Sequence, residues 1–220
     1  MRRSLCPFHL SEWTKLSSSL PTYSGATFTR WGRRSCPSTS KLVYHGQMAG
    51  HDYRSAGGGV NFQCLPSDPQ YLPQAPANVP YNSLRRVSYD IHFASKMFSG
   101  VDLNQHQVPC AVCETNQRVT TLSIPAMTRC PTSEWTLEYQ GYLVSAAEHF
   151  DSNTFVKDVY HSTTYECIDV KAESLTGKQQ INFSGMSVFP VRAQCLYPGA
   201  VNGCPPYQTG KALSCVVCSK

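Results

Sequence analysis

The amino-acid sequence predicts an all-β, disulfide-rich fold in which two tandem homologous halves, related by internal duplication, form one compact domain. Three observations favour this class. Several segments alternate apolar and polar residues, the 220-residue chain carries eleven cysteines, and the cysteine motifs of its first half recur in its second half. No window of about 12 residues or more has the 3.6-residue periodicity of an amphipathic helix, so strands are the favoured secondary structure.

The individual strands are predicted from alternation, in chain order. Segments 41–50, 117–126 and 135–146 are rich in Val, Leu, Thr and Tyr and alternate in hydrophobicity, which is typical of half-buried strands. Turn signals rich in Gly, Pro, Asn and Asp separate them. Segment 65–83 carries four further prolines after Pro66, which exclude a helix or a central strand. We expect this segment to be an ordered excursion on the surface.

The cysteine pattern is repeated along the chain. The sequence "CPSTSKLVYHGQMAG" begins at Cys36, and "CPTSEWTLEYQGYLVSA" begins 94 residues later at Cys130. "FQCLP" corresponds to "YECID" at a separation of 103 residues, and "CAVC" to "CVVC" at 105. The separation rises steadily, as expected for two copies of one unit with loop insertions. We therefore predict a poorly ordered N-terminal tail at 1–26, a first half at 27–125 and a second half at 126–220.

Composition favours a secreted protein. Only 15% of the residues are charged, well below the usual quarter, and many cysteines in a small chain are typical of an extracellular disulfide framework. The net charge of +5 is too small to predict nucleic-acid binding. No segment approaches the roughly 18 apolar residues of a membrane span. Acidic glycans are a candidate partner for the arginine clusters, which comprise Arg30, Arg33, Arg34, Arg85 and Arg86.

The start of the chain is not a typical export signal. It has basic residues, but it lacks an apolar run of about 7–15 residues, so no signal peptide is evident. We expect an extracellular location. Either the sequence is a fragment or begins at a wrong start, or export depends on sequence upstream.

Three roles are open to the two Cys-x-x-Cys motifs. A zinc ribbon places such motifs about 15–20 residues apart, whereas 102 residues separate Cys113 from Cys215. A redox dithiol opens a helix, which neither motif does in this pattern. In a strand, the two cysteines of one motif point to opposite faces and reach different partners. Structural disulfides are therefore favoured, and pairing within each half leaves 45 arrangements, 3 for four cysteines times 15 for six.

Aromatic residues are candidates for a ligand surface. Alternating aromatic side chains in strands pack in a core more often than they bind ligands. A platform for a glycan or a protein is nevertheless a second hypothesis, and its candidate residues are Tyr44, Tyr53, Trp135, Tyr139 and Tyr142.

Catalysis is disfavoured. His45, His51 and Asp52 lie close together in the sequence, but no nucleophile motif accompanies them, and Gln140 occupies the position of His45 in the second half. We expect no enzyme, no cofactor and no metal site. Asn182, in Asn-Phe-Ser, is a candidate glycosylation site.

Several motifs together resemble a known family. They are "TFTRWGRRSCP", "LVYHGQMAG", "AGGGVNFQCLP", "VPCAVC", "WTLEYQGYL" and "CPPYQTGKALSCVVCSK". They resemble the C-terminal non-collagenous domain of invertebrate short-chain (spongin-type) collagens and, more distantly, the duplicated C-terminal domain of type IV collagen. The resemblance covers about Thr27 to Lys220. It implies an extracellular, β-rich assembly module that self-associates into trimers in the extracellular matrix, with matrix proteins as further partners.

The resemblance also implies a disulfide scheme. The first cysteine of each half would pair with the last, and a second pair would lie inside it. The implied bonds are Cys36–Cys113, Cys64–Cys110, Cys130–Cys218 and Cys167–Cys215. Cys195–Cys204 would close a small extra loop that the first half lacks, and Cys6 is left over. The alternative function is a secreted, disulfide-stabilised β-domain that binds glycan or protein ligands.

Overall fold

The structure is a computed structural model that describes residues 25–51, 58–73, 84–91, 94, 96–98, 100–146, 162–175, 186–193 and 206–220. Within these residues the chain forms ten strands. In the first half they are β1 (Thr27–Trp31), β2 (Ser40–His51), β3 (Gln63–Pro66), β4 (Leu84–Tyr89) and β5 (Pro109–Thr115). In the second half they are β6 (Thr121–Pro125), β7 (Thr136–Ser145), β8 (Glu166–Asp169), β9 (Met186–Pro190) and β10 (Ser214–Ser219). Strand β6 lies before the predicted boundary between residues 125 and 126, but among the described strands it pairs with β10 alone, so it is grouped with the second half. The prediction of an all-β, disulfide-rich fold is confirmed.

The alternating segments form strands β2, β6 and β7. Strand β6 begins four residues later than predicted, because the chain turns at Gln117, whose φ of 58° is left-handed. The structure describes residues 65–73 of the predicted excursion. Of these, the first two belong to strand β3, and residues 67–73 are exposed and irregular. The Cys-x-x-Cys motifs lie on β5 and β10, as the strand argument required.

The two runs of five strands pair in the same pattern. The first strand of each run is antiparallel to the last (β1–β5 and β6–β10), and the last is antiparallel to the second (β5–β2 and β10–β7). The second strand also pairs with the third and the fourth (β2–β3 and β2–β4; β7–β8 and β7–β9). This repeated pattern agrees with the sequence repeat, and the common origin of the halves stays a prediction.

Two parallel contacts join the halves. Strand β1 meets β8 at Trp31 and Ile168, and β4 pairs with β9 over three residues. Because β9 also pairs with β7, seven strands (β7, β8, β1, β5, β2, β4 and β9) form a closed circuit of pairings. The first half is therefore joined to the second at two separate places.

The glycine of the Tyr-x-Gly motif, which both halves contain, has a steric cause. A Cβ added to Gly46 would lie 1.7 Å from the carbonyl oxygen of Leu65, and a Cβ added to Gly141 would lie 1.7 Å from that of Ile168. Both glycines therefore let a short strand approach closely, β3 in the first half and β8 in the second. This explains the repeated Tyr-x-Gly motif.

Two apolar clusters fill the interior. The larger contains residues from both halves, including Trp31, Met48, Phe98 and Ile168. The smaller is built around three cysteines and Tyr139, and its other members are Phe28, Ala111, Leu143 and Val217. Both clusters contain side chains from each half, so burial of apolar surface also holds the halves together.

Candidate functional site

The described residues contain four disulfides, and they are the four pairs that the resemblance implied. They are Cys36–Cys113, Cys64–Cys110, Cys130–Cys218 and Cys167–Cys215, with Cα–Cα distances of 5.7 to 6.0 Å. Within each motif the two cysteines take different partners, so neither motif forms an internal redox disulfide. All four of these cysteines are bonded to sulfur, which leaves none of them as a thiolate ligand for zinc.

Several predicted residues lie outside the described part of the chain. These are Cys6, Tyr53, Asn182, Cys195 and Cys204.

The four candidate aromatic residues that the structure describes differ in exposure. Tyr44 is 37% exposed, and Trp135 is half-buried. Tyr139 is only 5% exposed, and the half-buried Tyr142 packs edge-on against the ring of Phe98 at 5.8 Å between centroids. Tyr139 is therefore covered by β1 and is not exposed on an outer surface, and the ligand surface stays a prediction.

The first arginine cluster is paired with carboxylates. Arg30 lies 2.6 Å from Asp169 with both side chains nearly buried, and Arg33 and Arg34 both lie near Glu173. Each of these pairs joins the first half to the second. The cluster thus has a structural role in the fold, and the acidic-glycan partner stays a prediction.

Of the residues considered for catalysis, His45 lies on the exposed part of β2. Its Nδ1 is 3.1 Å from the hydroxyl of Ser67. His51 is buried at the end of β2, and Asp52 lies outside the described residues. Within the described ranges, no three His, Cys, Asp or Glu side chains are grouped as a metal site would require.

A buried carboxylate that the sequence did not reveal joins the two halves at another point. Glu138 on β7 is completely buried. It accepts hydrogen bonds from the hydroxyls of Thr39 (2.7 Å), Ser40 (2.8 Å) and Ser219 (2.5 Å), and from Arg118 (2.8 Å). Burial acts to raise the pKa of Glu138, but the hydrogen bonds from Ser219, Thr39, Ser40 and Arg118 outweigh it and hold the pKa below its usual value.

The β1–β8 contact has polar partners of its own. Tyr139 lies beneath this contact, and its hydroxyl is 2.9 Å from the carbonyl of Cys167 on β8 and 3.1 Å from that of Thr29 on β1. The indole N–H of Trp31 donates to Glu166 at 2.9 Å. Burial raises the pKa of Tyr139 far above its usual value, so this phenol remains a neutral donor.

A crevice of about 440 Å³ lies beside this contact, where β1 and β8 diverge. Residues from both halves line it, among them Phe28, Trp31, Phe62, Tyr139, Thr164 and Glu166. This volume lies within the range of small-molecule pockets, roughly 300–1,000 Å³. The lining combines aromatic residues, neutral polar residues (Thr29, Asn61, Gln63, Thr121, Ser123 and Thr164) and one carboxylate.

Glu166 is the ionisable group of the crevice. Its two oxygens accept hydrogen bonds from Trp31 and from the hydroxyl of Thr164, each at 2.9 Å. Burial raises its pKa above the usual value, although these two hydrogen bonds act to lower it. Within the described residues, no Lys or Arg forms an ion pair with this carboxylate.

The fold and the site define an all-β, disulfide-rich domain, a class typical of secreted proteins. Among the described residues there is no helix with the length and apolar character needed to cross a bilayer. No protein-family model matches the chain, and no curated protein sequence matches it.

Proposed function

We propose that this protein is an extracellular structural module that self-associates, as a trimer, in the extracellular matrix. The proposal originates in the resemblance to collagen C-terminal domains, and the four disulfides support an oxidising compartment. The observation that carries it concerns the contact between β1 and β8. The repeat offers a second contact of the same kind, between β6 and β3, and the described strands do not form this second contact within one chain.

Within the chain, the contact is made by the first strand of the first half and the third strand of the second half. Strand β1 of the first half packs on β8 of the second half. By the repeated pairing pattern, β6 corresponds to β1, and β3 corresponds to β8. Among the described strands, β6 pairs with β10 alone and β3 with β2 alone. Within the described part of the chain, one surface of each kind is therefore left without a pairing strand.

Residues at the contact that forms are more buried than the corresponding residues at the contact that does not. Phe28 on β1 is 8% exposed and lies against Tyr139, with 6.3 Å between ring centroids. Its counterpart on β6, Leu122, is 42% exposed. Tyr44 corresponds to Tyr139, and its hydroxyl likewise donates to the carbonyl of the inner-disulfide cysteine, Cys64, at 3.1 Å. Tyr44 has the local geometry of Tyr139 without the strand that covers it.

The two open surfaces are therefore complementary to each other. Strand β6 of one copy fits β3 and Tyr44 of the next copy, as β1 fits β8 and Tyr139 within the chain. Such a head-to-tail contact joins copies in one direction and closes into a ring when the rotation allows it. The resemblance supports a ring of three.

The test is the solution mass of the secreted, oxidised protein by light scattering. We expect about three or six times the 24.4 kDa of one chain. Leu122→Asp and Tyr44→Asp should each reduce the mass to that of a monomer, because they place a charge in the contact. Val101→Asp is the control, since Val101 is 55% exposed and lies on a loop that is not part of the proposed contact. A wild-type monomer at all concentrations would refute self-association and favour the ligand-binding alternative.

A further inference from the structure

We infer that the crevice between β1 and β8 is a binding site for an organic cation, an alkylammonium or guanidinium group held by Glu166. This inference does not rest on self-association, because Glu166 and its hydrogen-bond partners belong to one chain. The crevice borders the proposed contact between copies, since Leu122 of β6 and Gln63 of β3 also line it. The cation can come from a small amine or from a Lys or Arg side chain of another protein.

Glu166 is a carboxylate without a cation partner among the described residues. The neighbouring cations already have carboxylate partners, since Arg30 pairs with Asp169 and Arg33 with Glu173. Glu166 lines a cavity and has no counter-ion within the described residues. A half-buried carboxylate that only neutral donors stabilise gains most from a cation, because the surrounding dielectric constant is low.

The carboxylate of Glu166 is held in a fixed orientation by two hydrogen bonds. An ionised carboxylate offers about four acceptor sites. Trp31 and Thr164 occupy one site on each oxygen and fix the orientation of the group. The remaining acceptor sites are available to a donor that enters the crevice, and an ammonium or guanidinium group supplies several N–H donors at once.

The walls of the crevice combine aromatic and neutral polar residues. Trp31, Phe28, Phe62 and Tyr139 line it with only 5–8% of each residue exposed, and the polar lining comprises Thr29, Asn61, Gln63, Thr121, Ser123 and Thr164. Aromatic rings attract cations within about 6 Å of the ring centre and also accept the methylene groups of an alkyl chain. Tyr139 already has the guanidinium of Arg30 at 6.0 Å from its ring centroid. A lining that has, among the described residues, one carboxylate and no Lys or Arg, with aromatic residues beside neutral polar ones, favours a cation over an anion.

The test uses the unmodified, oxidised chain and two probes of similar size, n-butylammonium and the uncharged n-butanol. Binding is followed by calorimetry and by the NMR signal of the Trp31 indole N–H, which is bonded to Glu166. We expect n-butylammonium to bind and to shift this signal, and n-butanol to bind at least about tenfold more weakly. Equal binding of the two probes, or no binding of n-butylammonium well above the millimolar range, would overturn the proposal.

Variants locate the site. Glu166→Gln keeps the size of the side chain and removes its charge, and it should weaken n-butylammonium binding at least about tenfold. Glu134→Gln removes an exposed carboxylate elsewhere and should leave binding unchanged. Equal binding to wild type and Glu166→Gln would refute the role of Glu166. If Glu166→Gln fails to fold, the comparison of the two probes on the unmodified chain decides alone.

A third probe identifies the source of the cation. A blocked pentapeptide with a central lysine is compared with the same peptide carrying norleucine. Binding of the lysine peptide as tightly as n-butylammonium supports a protein partner, and binding of the amine alone supports a small-molecule ligand. Binding of the norleucine peptide as tightly as the lysine peptide would contradict a cation site.

Discussion

The buried carboxylate of Glu138 offers a sharp test of how the two halves are held together. Glu138→Gln removes a charge that Arg118 and three hydroxyl groups surround. An amide has a single acceptor oxygen, and its NH₂ group would face donors. The substitution therefore breaks a buried ion pair and leaves several hydrogen-bond donors unsatisfied.

The expected loss is about 3 kcal/mol of unfolding free energy. Removing one partner of a buried ion pair costs about 3–5 kcal/mol. The Arg118 side chain is 21% exposed, whereas that of Glu138 is fully buried, so water can solvate part of the remaining charge. This places the effect at the lower end of that range.

The assay is urea unfolding at neutral pH with the disulfides intact. Glu134→Gln is the matched control, because Glu134 forms an exposed ion pair with Lys220, and exposed pairs contribute about 0–1 kcal/mol. A loss for Glu138→Gln no larger than that of the control would refute the view that this network fixes one half to the other.

Three further outcomes follow from particular contacts. The pKa of Glu138 is lowered in the folded state. Its contribution to stability is therefore complete above the unfolded-state pKa of about 4.3 and is lost as pH falls through the folded-state pKa. The difference in unfolding free energy between wild type and Glu138→Gln should shrink below about pH 4, and a constant difference would contradict this. Gly141→Ala would place a Cβ 1.7 Å from a carbonyl oxygen of β8, and it should lower the unfolding free energy in urea by at least about 3 kcal/mol. Gly59 has open space around it, so Gly59→Ala should change stability by less than about 1 kcal/mol. Replacing Cys36 and Cys113 together by Ser opens a link across 77 residues and should cost about 4.5 kcal/mol in the chain-entropy account, and a loss under about 2 kcal/mol would contradict it.

Local pattern was sufficient to predict the strands that alternate and the strands that carry the cysteine motifs. Alternation and opposite faces are properties of a single strand, and the sequence records them directly. The contacts between the halves are different. The donors of Glu138 lie up to 99 residues away, and Trp31 is 135 residues from Glu166. The only local signal for Glu138 was a charged residue within an apolar strand.

Tyr44 and Tyr139 illustrate the limit of a repeat as a predictor. The two residues have the same local sequence motif, and their hydroxyls have corresponding partners. Their burial differs because β1 covers Tyr139, whereas no described strand covers Tyr44. Whether a repeated residue is exposed thus depends on how the copies pack on each other, and the pattern within one copy does not record that arrangement.

The disulfides of β10 have a mechanical consequence. This strand lies between β6 and β7, and Cys215 and Cys218, near its two ends, are bonded to Cys167 and Cys130. A tensile force applied at Lys220 reaches a covalent cross-link at Cys218, two residues away, before it loads most of the hydrogen bonds of the strand. Peeling of β10 from the sheet, one hydrogen bond at a time, is therefore blocked until Cys130–Cys218 is reduced. The domain can transmit tension along this strand without unravelling.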